Sequence, residues 1–302
     1  MSVLAIIAAL VIEQWQPLGE RKAVQGALAG WAQWLEQSFN GGERRHGLVA
    51  WLVAVLPWVA AATALHLLLD EASPLLALVF NIAVLYLTLG FRQFSHYFTD
   101  IQLAVKSGDI ERARVLLEEW RGASGVVRTR EEVIRLSIEE ALLAAHRHVF
   151  GVLLWYLLLP GPSGAVLYRL SAYLGGRWRE MGAFGQFARR AFHLLEWPAV
   201  RLTAASFAVV GDFEDAVYCW RTQARTWLDP DAGIVLAAGA GAMGVRLGMP
   251  VQEVDGTQPR AEIGVGEPAE GPLLDSAVGL LWRALVLWVF VLALLSVARL
   301  AG

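Results

Sequence analysis

The sequence predicts an all-α, polytopic helical membrane protein with a broken or re-entrant apolar helix pair and cytoplasmic helices. Of the 302 residues, 56% are hydrophobic and only 18% are charged, which is more apolar surface than one soluble core of this length needs. Several apolar runs are long enough to cross a bilayer. Elsewhere apolar residues recur at intervals of three and four, and no run alternates convincingly at period two. We expect residues 1–302 to form a single integral membrane domain.

Three apolar runs predict bilayer spans, at about residues 47–70, 74–90 and 277–300. The first and third are long enough for a helix to cross the hydrocarbon core, whereas the second is at the lower limit. The link between the first two contains Asp70 and Glu71 but no Lys or Arg, while both flanks are basic. The positive-inside rule therefore predicts an external link and cytoplasmic flanks.

Three shorter apolar segments, at about residues 2–13, 148–159 and 164–175, are each short for a span. The sequence PGPSG separates the last two, and basic residues flank the pair on both sides. These charges favour a hairpin that enters and leaves on the cytoplasmic side over a single crossing. We expect the first segment to lie partly in the membrane interface.

The spacing of charged and apolar residues predicts cytoplasmic helices at about residues 92–147 and 177–230, and a linker at about 250–275. Two similar hexamers, GDIERA and GDFEDA, occur within the helical regions. Their aspartates, Asp109 and Asp212, suit the helix N-cap, where a carboxylate accepts backbone N–H bonds. We interpret this repeat as two helix starts, not as two halves of a ligand site.

Composition and motifs exclude several classes of function. The net charge is −3 and the basic residues are not gathered in one tract, so nucleic acid is not an expected partner. The single cysteine, Cys219, excludes an internal disulfide and a multi-thiolate metal site. The sequence contains no P-loop, dinucleotide fingerprint, nucleophile elbow or His-Glu-x-x-His motif. It therefore predicts neither a cofactor nor a metal.

The order of several motifs resembles the membrane family of cobalamin-biosynthesis proteins called CobD or CbiB. These motifs are AVKSGDIERARVLLEEW, VIRLSIEEAL, the split apolar pair ending in LYRLSAYL, and LLEWPAVRLTAASFAVVGDFEDA. Within the last, WPAVRLTA is similar to the family's tryptophan, proline and Arg-Leu-Thr-Ala segment. The opening EQWQPLGERKAVQGALAGW more closely resembles the related AmpE branch, an inner-membrane protein associated with β-lactamase regulation. The resemblance implies a multi-pass protein of the bacterial inner (cytoplasmic) membrane.

Most motifs of the synthases in this family are missing. These enzymes join adenosylcobyric acid to an amino-alcohol phosphate, and their Gly-Arg-Asp-Thr box is replaced here by WRGASG, residues 120–125. Of their later acidic run only the first acid remains, as Glu139, and ALLAAHRHVF replaces the rest; their Asn-Thr-Leu-Asp-Ser element becomes LSAYLGG. The resemblance therefore implies a non-catalytic sensor, regulatory or scaffold protein of AmpE type. A divergent ATP-dependent adenosylcobinamide-phosphate synthase is the alternative, and a transporter is a third reading.

The remaining ionisable residues predict a ligand pocket. His96 and Asp100 stand one helical turn apart and could form an acid–base pair, or else a solvated helix face. Arg169 lies inside an apolar half-segment, where a charge needs an acidic partner, a watery cavity or a path to the interface. The candidate pocket residues are His96, Asp100, Glu139, His146, Arg169 and Arg201. Expected partners are the lipid bilayer and a small molecule such as a corrinoid, nucleotide or muropeptide, and a homo-oligomer is compatible with the sequence.

Overall fold

The computed structural model describes residues 2–15, 21–122, 129–253, 256–258 and 260–301. It confirms the all-α helical membrane fold class. The helices are α1 (Ser2–Trp15), α2 (Arg21–Phe39), α3 (Arg44–Ala72), α4 (Pro74–Thr88), α5 (Phe91–Ser107), α6 (Ile110–Arg121), α7 (Arg130–Ala145), α8 (Gly151–Leu158), α9 (Ser163–Arg177), α10 (Gly182–Val210), α11 (Phe213–Gln223), α12 (Pro230–Met243) and α13 (Gly271–Ala301). A π-turn, His146–Phe150, joins α7 to α8, and a 3₁₀ turn, Ala224–Thr226, follows α11.

Three helical rods among the described residues are long and apolar enough to cross a membrane: Arg44–Ala72, Arg130–Leu158 and Gly271–Ala298. The first and third correspond to predicted spans, and their apolar stretches are only 28% buried within the protein, as lipid-facing helices should be. Helix α4, Pro74–Thr88, is apolar but shorter. The second rod was not predicted as a span, and 67% of its apolar stretch is buried by protein.

The broken apolar pair consists of α8 and α9, which are connected at Leu159–Pro162. The two helices pack closely, because a Cβ atom added to Gly164 would lie 1.8 Å from the carbonyl oxygen of Trp155. The first half is not a separate helix, since α7, the π-turn and α8 form one continuous rod. No proline interrupts residues 130–158, and the π-turn widens the helix without ending it.

The two GD repeats are helix N-caps, which confirms their interpretation as helix starts. Asp109 accepts a hydrogen bond from the Arg112 backbone N–H at 3.1 Å, and Asp212 accepts one from the Asp215 N–H at 3.0 Å. Each aspartate thus satisfies an N–H group that the first turn of its helix leaves without an intrahelical acceptor.

The chain forms two compact units, of which the first comprises residues 1–90 and 151–198. Its core packs α2 and α3 against α9 and the start of α10, with Trp178 and Phe184 fully enclosed. At the edge of this core Arg177 donates from Nε and Nη2 to the Glu36 carboxylate at 2.5 and 3.2 Å, and Trp178 Nε1 donates at 2.8 Å. Burial opposes ionisation of Glu36, but these hydrogen bonds hold its pKa below the ordinary value.

The second unit comprises residues 91–150 and 199–302. Helix α12 is buried on nearly every side, which its small residues allow: a Cβ added to Gly241 would lie 2.4 Å from the Asp215 carbonyl oxygen. Helix α7 is also largely buried, and Phe150 packs edge-to-face on Phe207, with ring centroids 5.9 Å apart. The buried residues of α7 include the charged Arg135 and Glu139 as well as its apolar side chains.

The predicted linker at 250–275 contains ordered pairing. Strands Val251–Glu253 and Gly256–Gln258 form a short antiparallel hairpin. On either side of it, Leu247 and Ile263 exchange backbone hydrogen bonds of 2.7 and 2.9 Å, and Arg246 N–H donates to the Glu267 carbonyl at 2.9 Å. The later part, from Gly271, is already helix α13. The QPLGE sequence at 16–20 and the last three residues of WRGASG lie outside the described residues.

Candidate functional site

A cavity of about 260 Å³ opens in the second unit, where α5, α6 and the α7 rod meet. Its lining is Phe94, Tyr97, Glu119, Trp120, Glu140, Ala144, Arg147 and His148. The cavity is smaller than the ~300–1,000 Å³ typical of drug-sized ligands. It would therefore enclose a small polar molecule, or only part of a large one such as a corrinoid.

Helical spacing brings these side chains to one place. On the α7 rod, Glu140, Ala144, Arg147 and His148 are separated by four, seven and eight residues and so share a face. The rest of the wall comes from the other two helices. Helix α6 contributes Glu119 and Trp120 from its last turn, and α5 contributes Phe94 and Tyr97, which are one turn apart.

The cavity combines opposite charges with aromatic rings. Two carboxylates, Glu119 and Glu140, face one guanidinium, Arg147, and one imidazole, His148. The rings of Tyr97 and Trp120 are nearly parallel, with centroids 6.2 Å apart. Such a wall can hydrogen-bond both acidic and basic groups of a ligand and present an aromatic face to its apolar part.

The predicted pair His96 and Asp100 forms, but on the surface. His96 Nε2 lies 3.4 Å from Asp100 Oδ2, and the two side chains are 66% and 33% exposed. The cavity is lined instead by the adjacent residue, Tyr97. The solvated helix face that the sequence offered as an alternative describes this pair better than an enclosed acid–base pair does.

Glu139 has a set of contacts different from that of its neighbour Glu140. Its carboxylate accepts from the Gly248 N–H at 2.9 Å and forms a salt bridge with Arg260, and the two paired side chains are 6% and 15% exposed. Arg135, one turn earlier on α7, donates to the Gly248 carbonyl oxygen. Glu139 and Arg135 thus bind both backbone polar groups of a single residue.

The other predicted residues occupy separate environments. His146 is buried, and its Nδ1 lies 2.9 Å from the Thr203 hydroxyl, which comes from the RLTA part of the WPAVRLTA segment. Arg201, in the same segment, is half-buried on α10. Arg169 is a half-buried residue of α9 in the first unit. The cavity wall includes a residue adjacent in sequence to each of His96, Glu139 and His146, namely Tyr97, Glu140 and Arg147.

Sequence reasoning did not identify Glu119, Glu140, Arg147 and His148 as site residues. A signal was present, because Glu140 and Arg147 are two helical turns apart on the rod, a spacing that places an acid and a base on one face. In the sequence, Arg147 stands out only as one of the basic residues that flank the apolar segment at 148–159. The contribution of α6 could not be read from sequence, since it depends on how α6 packs beside α5.

Glu139 does not fit the role of a metal ligand. Its two carboxylate oxygens are bound by Arg260 and Gly248. Mg²⁺ bound by a protein usually needs one or two free carboxylates as ligands, and Glu139 has no free carboxylate oxygen to offer. Among the described residues, no three His, Cys, Asp or Glu side chains are grouped so that they could hold a metal ion.

Comparison with known proteins places the chain among relatives. The model of the CobD/Cbib protein family matches residues 4–281. A protein of Stutzerimonas stutzeri (strain A1501) named cobalamin biosynthesis protein CobD is 36% identical over an alignment of 305 positions, which covers 97% of each chain. A protein of the same name from Chromobacterium violaceum is 36% identical over 251 residues, covering 81% of this chain and 78% of the relative. No solved structure is significantly similar.

Proposed function

Because the chain belongs to the CobD/CbiB family, we propose that it is a non-catalytic member of AmpE type. In this proposal it is a multi-pass protein of the bacterial inner membrane that acts as a sensor, regulator or scaffold. The acidic link at Asp70 and Glu71 faces outward, and the cavity of the second unit binds a small ligand. The observation that carries the proposal is the state of Glu139, which is bound by groups of its own chain.

The environment of Glu139 supports a structural role. A carboxylate that binds Mg²⁺ or activates a substrate must offer free lone pairs to it. Glu139 is almost fully buried, and both of its oxygens already accept hydrogen bonds, one of them from a guanidinium. Freeing it would leave Arg260 without that charge partner, which is costly in a buried place. The residue therefore supports the loop around Gly248 and is not available for a reaction.

The cavity supports binding. It carries two acids, a guanidinium, an imidazole and two stacked rings within about 260 Å³. This size and polarity suit a small molecule, or a charged portion of a nucleotide or muropeptide. Binding in such a cavity requires none of the missing synthase motifs.

A divergent synthase is the second candidate, and two observations favour it. The relatives that are 36% identical are named cobalamin biosynthesis proteins. In addition, Glu119 and Glu140 lie in the same cavity and could contribute to a site different from that of the family's known motifs. This reading predicts that the chain makes adenosylcobinamide phosphate.

Complementation separates the two functions. A bacterial strain that lacks its own synthase receives this gene, or the deleted gene as a positive control, and is supplied with cobyric acid. We expect this chain to reach the membrane, as checked by immunoblotting, and yet to support no corrinoid-dependent growth. Growth restored by this chain would establish the synthase and refute the non-catalytic proposal.

Ligand binding is tested on purified protein by thermal stabilisation with corrinoids, nucleotides and muropeptides. We expect one class to stabilise the wild type and to lose its effect in Glu140→Gln and in His148→Ala. His96→Ala is the matched control, because His96 is exposed and does not line the cavity. A ligand effect that survives both cavity substitutions would show that binding occurs elsewhere.

A further inference from the structure

The contacts of Arg260 form a site of their own in the second unit. Its guanidinium pairs with the Glu139 carboxylate and lies over the Trp227 ring, with Cζ 4.5 Å from the ring centroid. Arg260 is mostly buried, at 15% exposure of its side chain. Proteins recognise a guanidinium by two features: a carboxylate that pairs with its N–H groups, and an aromatic face that stacks on its plane.

Arg260 is one of two guanidiniums near Glu139. Arg135 lies close enough to Glu139 and Arg260 to be affected by both charges, and it is also affected by Glu131 and Glu132. The Nε of Arg135 is buried without a hydrogen-bond partner. Removing Arg260 therefore leaves Glu139 with Arg135 nearby, whereas removing Glu139 takes the directly paired carboxylate from Arg260. Neutralising Glu139 thus does not depend on Arg260 alone.

What Arg260 does hold is the paired loop, which we define as residues 244–249 and 260–267. The two parts of this loop pair through backbone hydrogen bonds between Leu247 and Ile263. One part is attached to α7 at Gly248, by Arg135 and Glu139. The other part is attached to the same helix by Arg260, and to α11 by Gln223, whose side chain exchanges two hydrogen bonds with the backbone of Gly264.

We propose that Glu139 and Trp227 form a guanidinium-binding site that the chain fills with its own Arg260, and that this contact is the latch that closes the paired loop onto α7. The ligand class of the site is a guanidinium, either free or at the end of an arginine side chain. A guanidinium supplied from outside competes with Arg260 and releases the second part of the loop from α7. This site adjoins the cavity, because Glu140 of the cavity lining is affected by the charges of Glu139 and Arg260, but it does not require that the protein is an enzyme.

Hydrogen–deuterium exchange of the full-length protein in nanodiscs tests the latch. In Arg260→Ala we expect the amides of Leu247 and Ile263 to exchange about 10- to 100-fold faster, the range expected for loss of a hydrogen bond to a charged group. In the wild type, guanidinium chloride at a non-denaturing concentration should speed exchange of these two amides by competing with Arg260, whereas sodium chloride at the same ionic strength should not, and Arg260→Ala should show no further effect of guanidinium. Arg246→Ala is the matched control, because Arg246 belongs to the same loop but forms an exposed ion pair with Glu262.

Two results would overturn the proposal. Exchange at Leu247 and Ile263 that stays within twofold of wild type in Arg260→Ala would show that Arg260 does not close the loop. Wild-type exchange that guanidinium and sodium chloride speed equally would show that Glu139 and Trp227 do not take up a guanidinium from outside. If the alanine variant does not fold, Arg260→Gln repeats the test, because it keeps most of the side chain and removes its charge.

Discussion

Replacing Glu139 by Gln should be among the most damaging single changes in the second unit. The substitution preserves size and keeps an oxygen that can accept from the Gly248 N–H, but it removes the negative charge beside Arg135 and Arg260. Glu139 is only 6% exposed, so water screens this change poorly. Breaking a buried ion pair by removing one partner typically costs about 3–5 kcal/mol.

This loss is measurable by thermal unfolding in a mild detergent. For a unit of this size, about 3–5 kcal/mol corresponds to a fall in Tm of about 6–20 °C. Arg260→Gln should cost clearly less, because Arg135 stays near Glu139 and still offsets its charge. Glu262→Gln is the control, since its exposed pair with Arg246 should contribute no more than about 1 kcal/mol.

Two results would contradict this prediction. The first is a Tm of Glu139→Gln within about 2 °C of wild type, and the second is an Arg260→Gln variant as unstable as Glu139→Gln. The first result would mean that water enters the cluster and solvates the two guanidiniums. The second would mean that Arg260 stabilises the unit mainly through the packing of its side chain and not through its charge.

Two further predictions concern the first unit. Gly164→Ala should separate α8 from α9 and cost about 1–3 kcal/mol or more in thermal stability, because the new methyl group would lie 1.8 Å from the Trp155 carbonyl oxygen. The control is Gly176→Ala, in the same helix with open space around it, which should be neutral or stabilising. Equal effects of the two substitutions would contradict this packing. The depressed pKa of Glu36 means that its bonds to Arg177 stabilise the fold fully above the ordinary carboxyl pKa of 4.5 and are lost as pH falls through the lower folded value. The Tm difference between wild type and Glu36→Gln should therefore be largest at neutral pH and should shrink below about pH 4.5, and a constant difference down to pH 3 would show that Glu36 does not titrate with folding.

Local chemistry was sufficient to predict several elements from sequence. Asp109 and Asp212 are N-caps because an aspartate three residues before a free N–H group can satisfy it without any help from the rest of the chain. The helices Arg44–Ala72 and Gly271–Ala301 were visible because their apolar length alone is decisive. The family could likewise be recognised from the order of motifs along the chain.

The helix through residues 130–158 shows where such reading is incomplete. Its apolar half at 148–159 is short by itself, and the charged half before it looks like an exposed cytoplasmic helix. In the structure the two halves form one rod. The π-turn at His146–Phe150 keeps the backbone hydrogen-bonded between them, and the surrounding helices bury much of the charged half.

For the site, the sequence alone shows which ionisable residues are available, and its resemblance to the synthases implies that most of their motifs are replaced. It could not determine that Glu139 faces Arg260, 121 positions later in the chain, while the adjacent Glu140 faces the cavity. Consecutive residues on a helix point about 100° apart, so neighbours of identical chemistry can enter different environments. Only the packing of distant segments around α7 decides which carboxylate is bound by its own chain and which remains open to a ligand, because a buried charge is stable only where the fold brings a partner to it.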